Sequence, residues 1–250
     1  MNHSRSELRL HWRALIGCAL AASMGTIGLH AYTSGAFASA LVEQAGFTRA
    51  QLSIATFCLS ATAAVTVPVA ALLMDRYGPV RIITLAVIGE AIGFALLGSM
   101  PAVFSIYAGG VVLLAMLGVG TTPPGFARIV ASRFDRSRGL ALGIMISGLA
   151  VTAITAPSWI TWIIDASGWR AGYWTLAGLV LVFGLGGTWL IRSDSQHSQA
   201  GVHVAARSER TGRGDWSALR QPLFWILLAG FLAPAFFSGG YLLHLISLLE

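Results

Sequence analysis

Seven apolar runs divide this chain: Ala14–Leu41, Leu52–Met74, Ile82–Met100, Val103–Ala127, Leu140–Ile164, Tyr173–Ile191 and Leu223–Leu249. Each meets or nearly meets the ~20 residues a helix needs to cross a hydrocarbon core of ~30 Å. The pattern predicts an all-α, polytopic membrane protein. Connections are short except for Arg192–Pro222, whose Ser193, Asp194, Gln196, His197, Arg207, Glu209 and Arg210 read as an aqueous linker. The expected organisation is a six-helix bundle over residues 1–191, a linker over 192–222 and one further span over 223–250.

The charged residues orient these spans. Arg5, Arg9, Arg13, Arg76, Arg81, Arg128, Arg133, Arg136, Arg138, Arg192, Arg207, Arg210, Arg213 and Arg220 fall on one side, and only Arg49 and Arg170 on the other. Basic residues collect in cytoplasmic loops, so the N-terminus and the linker are expected inside. A multi-pass protein of a bacterial inner (plasma) membrane fits this pattern.

Composition narrows the function classes. With 56% hydrophobic and 10% charged residues, the 250-residue chain is unlike a soluble domain, in which about a quarter of residues are charged. The net charge of +6 resides in loop arginines, so no nucleic-acid partner is needed to explain it. Cys18 and Cys58 show no metal-ligand or redox spacing. No phosphate loop, nucleophile–His–acid set or metal site is visible, which points away from an enzyme and from any cofactor. A seven-span retinal protein would need a Lys in its last span, and the chain has no Lys.

Between the second and third runs stands Ala71-Leu72-Leu73-Met74-Asp75-Arg76-Tyr77-Gly78-Pro79-Val80-Arg81. Its Asp-Arg-x-Gly core, at an inner turn, resembles the signature of the major facilitator superfamily. Ala71 stands where the family has its first Gly, and Val80 at one late basic position. The segments Leu41–Arg49, Ser132–Gly143 and Gly168-Trp169-Arg170 resemble the bacterial branch related to oxalate/formate and monocarboxylate carriers. The Lys with which eukaryotic monocarboxylate carriers hold their anion has no counterpart here. The resemblance implies two six-helix halves rocking about a central site. It makes Asp75, Arg76, Gly78 and Arg81 a gating motif, and makes the chain the first half plus one helix, truncated after the seventh.

Ionisable groups at membrane depth are costly, which makes His30, Glu90 and His244 functional suspects. Thr26, His30 and Ser34 share one helical face by their spacing of four. Through the resemblance, that face lines the solute cavity. Thr121 and Thr122 precede Pro123-Pro124, where two missing backbone donors should break the fourth span. Ser147, Thr155 and Trp162 on the fifth span and Tyr241 with His244 on the seventh complete the candidate cavity wall. Gly139 and Gly143 are spaced for close helix contact. Glu90 is the candidate for proton coupling, with a neutral acid bonded to a neighbouring helix as its structural alternative. The expected activity is secondary transport, by alternating access, of a small solute such as a mono- or dicarboxylate; the alternative is a transport-incompetent fragment of such a carrier. The expected partners are that solute and the lipid bilayer.

Overall fold

The computed structural model describes residues 7–198, together with Pro222, Trp225, Ile226 and Gly230. The chain divides into two units, residues 1–202 and 203–250, and the first is described here. The seventh run, with Tyr241 and His244, lies almost wholly outside the described residues, as does the linker beyond Ser198.

Every regular element in the described part of this unit is helical. The first run is two helices, α1 (Trp12–Ser23) and α2 (Thr26–Ala45), bent by 42° at Met24-Gly25. Gly46, at φ +72°, ends α2 in the left-handed conformation that glycine adopts without a Cβ penalty. Thr48 then opens α3 (Arg49–Tyr77) with a capping box, its hydroxyl accepting from the Gln51 amide and its own amide donating to Gln51 Oε1. Gly78, at φ +87°, makes the inner turn, and Pro79 starts α4 (Pro79–Ser99) at a position where its missing N–H costs nothing.

The fourth run breaks where its prolines predict. Helix α5 (Phe104–Gly118) tightens into a 3₁₀ turn at Val119–Thr121, and α6 (Pro123–Arg133) begins on the first proline. Helix α7 (Arg138–Leu179) continues through a π-helical turn at Val180–Gly184 into α8 (Leu185–Ser198). As one rod, the 57 residues of Arg138–Asp194 would extend about 85 Å, nearly three hydrocarbon cores. Gly168, with φ +83° and ψ 167°, breaks it instead. Gly148 and Gly187, about equally far on either side of Gly168, both pack against α1, at Ala19 and Gly17. The chain therefore turns back on itself at Gly168. Among the described residues, four helices are long and apolar enough to cross a membrane, or five counting α1–α2 as one span.

Glycines set the closest crossings. A Cβ on Gly17 would lie 2.6 Å from Gly187 O, and one on Gly187 equally close to Gly17 O. Gly93 sits on Leu114, joining α4 to α5. Gly139 and Gly143 face open space, so the close contact of the fifth span falls at Gly148 instead. Elsewhere in the bundle, Tyr107 and Tyr173 hydroxyls lie 2.9 Å apart, and Phe37 stacks on Tyr173 with centroids 4.0 Å apart. Helix α8 runs to Ser198, seven residues into the stretch read as linker.

Candidate solute-binding site

The two broken spans cross at their breaks. A Cβ on Gly25 would lie 2.5 Å from Thr121 O, and one on Gly118 would land on Thr26 Oγ1. Beside this crossing is a cavity of about 360 Å³, lined by Ala22, Ser23, Gly25, Ile27, Gly28 and Tyr32 from the first span and by Thr121–Pro124 from the fourth. Val67 of α3 and Leu149 of α7 complete its wall. The lining is mostly apolar with a few hydroxyls, the usual make-up of a small-molecule site. Two helices begin at its edge, α2 at Thr26 and α6 at Pro123. First-turn amides have no intrahelical acceptor, and the macrodipole makes such ends positive. Helix α6, however, opens on two prolines without an N–H and its Gly125 amide donates to Thr122 O, so α2 supplies the donors. Ile27 and Gly28, in the first turn of α2, line the cavity.

Behind the cavity wall lies a buried polar cluster. The Thr26 amide donates to Thr121 Oγ1 over 3.1 Å, and the two threonine hydroxyls are 3.2 Å apart. Thr121 Oγ1 is also 2.9 Å from Glu90 Oε2 and 2.7 Å from the carbonyl oxygen of Gly118. Glu90 has no solvent exposure, and its Oε1 has no hydrogen-bond partner. Thr26, Thr121 and Glu90, singled out separately in the sequence, thus form one cluster joining the first, third and fourth spans.

Beside the Gly78 turn, Asp75 accepts from Arg128 Nη1 over 2.7 Å, with both side chains about half exposed. Arg128 also reaches the carbonyl of Ala71. Arg76 lies over the Tyr77 ring at 5.3 Å, and Arg81 is exposed. A second charged cluster carries no sequence motif. Asp194, only 4% exposed, accepts from His11 Nδ1 over 2.9 Å and from Arg133 Nη1 over 3.1 Å. Arg133 also donates to the Ile191 carbonyl, and the His11 ring meets Phe134 edge-on. The beginning of the first span and the C-terminal ends of the fourth and sixth are thereby tied together. Glu7 accepts from the hydroxyl and amide of Ser137, adding the start of the fifth.

The remaining predicted positions scatter. His30 is buried in α2, and Ser34 is half-buried with its hydroxyl on Ala31 O. Ser147 and Thr155 are exposed on α7 and donate to carbonyls of their own helix, those of Gly143 and Val151. Trp162 is 72% exposed. Of the cavity candidates among the described residues, Thr121 and Thr122 are the ones on the cavity wall. Tyr32, Ser23, Val67 and Leu149 were not singled out. No signal in the first run marked its bend except Gly25, one glycine among many.

The sequence profile described as Major Facilitator Superfamily matches residues 15–250. Among curated proteins, none matches the chain.

Proposed function

The chain belongs to the major facilitator superfamily, a family of transporters rather than enzymes, and on that premise we propose that the cavity at the crossing of the first and fourth spans is its solute site. The observation that carries this reading is the placement of the start of α2, with the Ile27 and Gly28 amides, at the edge of one partly polar cavity that the break before α6 also borders. Discontinuous helices that aim their N-termini at a solute are how transporters hold anionic groups at membrane depth. The favoured solute is therefore a small organic anion, a mono- or dicarboxylate, moved by alternating access with Asp75 and Arg128 as an inner latch. The proposed topology has six crossings before Ser198 and the N-terminus in the cytoplasm of a bacterium. Its support is the arginine asymmetry.

Calorimetric titration of the purified protein with formate, oxalate and lactate tests the solute class. Saturable heat is expected, absent with the neutral analogues formamide and lactamide and absent in Gly28→Leu, which fills the cavity. Equal binding of acid and amide, or undiminished binding by Gly28→Leu, would remove the anion reading or the site.

A further inference from the structure

We propose that Glu90 is a proton-binding site whose loading holds the broken first and fourth spans closed on each other. Thr121 Oγ1 lies at hydrogen-bond distance from two acceptor oxygens, Glu90 Oε2 at 2.9 Å and Gly118 O at 2.7 Å, and its hydroxyl has one proton to give. If Glu90 were a carboxylate, one of those contacts would be oxygen against oxygen with nothing between. A proton on Glu90 Oε2 removes the conflict: the acid donates to Thr121 Oγ1, and Thr121 donates to Gly118 O. The Thr26 amide fills the other lone pair of the Thr121 oxygen, which leaves the Thr26 hydroxyl, 3.2 Å away, with nothing to donate to at that oxygen. Oε1 is then an uncharged carbonyl oxygen without a partner, far less costly in a dry interior than half of an ionised carboxylate.

No countercharge offers an alternative. Among the described residues, no Arg or His is within ion-pair distance of Glu90. Groups on the elements around it are engaged or distant. Tyr107 and Tyr173 bond each other, Arg192 reaches Thr84, and Asp75 pairs with Arg128 at the inner end. His11, Arg133 and Asp194 form their own cluster, with Cys18 beside it. Arg81 is exposed at the inner start of α4, and His30 lies one turn beyond Thr26 on α2.

The site has an exit. Thr121 both bonds the acid and lines the cavity. On release, the Glu90 O–H bond breaks, the proton passes by way of the Thr121 hydroxyl to cavity water as hydronium, and the carboxylate keeps the electron pair. The bare carboxylate then needs water, which enters only if Gly25-Thr26 separates from Gly118–Thr121. Proton loss and opening of the crossing are one event. The proton site stands whether or not the cavity takes a carboxylate.

Infrared spectroscopy of the whole chain in liposomes tests the loading. A buried carboxylic acid C=O band is expected at neutral pH, absent in Glu90→Gln and shifted in Thr121→Val, which keeps the acid and removes its partner. The coupling is read from the labelling rate of Thr122→Cys by a small thiol reagent in a Cys58→Ser background. Divided by the rate in Glu90→Gln, whose thiol titrates alike, it should rise about tenfold per pH unit until the site is empty, as loss of one proton requires. An acid band missing at neutral pH, one unmoved by Thr121→Val, one abolished by sodium ions, or a flat labelling ratio would each overturn the proposal. Should Glu90→Gln fail to fold, the Thr121→Val shift alone decides.

Discussion

Two ion pairs of the same chemistry differ in burial, and that difference predicts losses of different size for one kind of substitution. Asp194 is 4% exposed, and its partners His11 and Arg133 are 12% and 13% exposed. Asp75 and Arg128 are 58% and 44% exposed. Removing one member of a buried pair leaves an uncompensated charge and costs about 3–5 kcal/mol. In Asp194→Asn, Arg133 keeps the Ile191 carbonyl at 3.1 Å, which places the loss near the lower end, about 3 kcal/mol. That is roughly a hundredfold in the unfolding equilibrium. For Asp75→Asn the exposed pair is worth about 0.2–1 kcal/mol, and added salt should reduce it further. Denaturant titration in mixed micelles, followed by circular dichroism, measures both. Equal losses for the two variants, or a larger one for Asp75→Asn, would refute the assignment of Asp194 to a buried tie between spans.

Two further outcomes follow from local geometry. Gly118→Ala should destabilise the protein by about 1–3 kcal/mol, because its methyl group lands on Thr26 Oγ1 at a tight crossing; thermal unfolding of that variant beside Gly139→Ala, which meets open space, checks it. The Ser137 hydroxyl, followed by its amide and that of Arg136, holds the Glu7 carboxyl below its ordinary range. A depressed carboxylate stabilises the fold above its unfolded pKa, and that contribution vanishes as pH falls through the folded value. Melting curves in mildly acid buffer should therefore show wild type losing its advantage over Ser137→Ala as pH drops; a constant difference would contradict the contact.

How far the sequence could be read depended on whether the signal was local. Each of the first six apolar runs corresponds to a helical stretch, because twenty apolar residues in a row carry their own evidence. The break at Pro123 was legible for the same reason: a missing N–H acts at its own position. The bend at Met24-Gly25 was not, because it rests on Gly25 meeting Thr121, a residue on another helix. Periodicity placed Thr26 with His30 and Ser34, yet Thr26 bonds across to Thr121, which in turn bonds Glu90. Asp194 misled by composition. Its polar neighbours suggest linker, whereas partners 183 and 61 residues away fold it into the interior.

The central claim is that solute meets this chain at the crossing of its two broken spans, and cysteine protection tests it most directly. Val67→Cys and Leu149→Cys put thiols on the cavity wall, while Ser147→Cys and Thr155→Cys put them on the exposed face of α7 outside it. With Cys58→Ser as background and Cys18 buried, reaction with a small thiol reagent is timed with and without lactate or oxalate. Saturable slowing at positions 67 and 149, with none at 147 and 155, is the predicted result. Protection at 147 and 155 with none at 67 and 149 would contradict the account and move the site to the exposed face of α7.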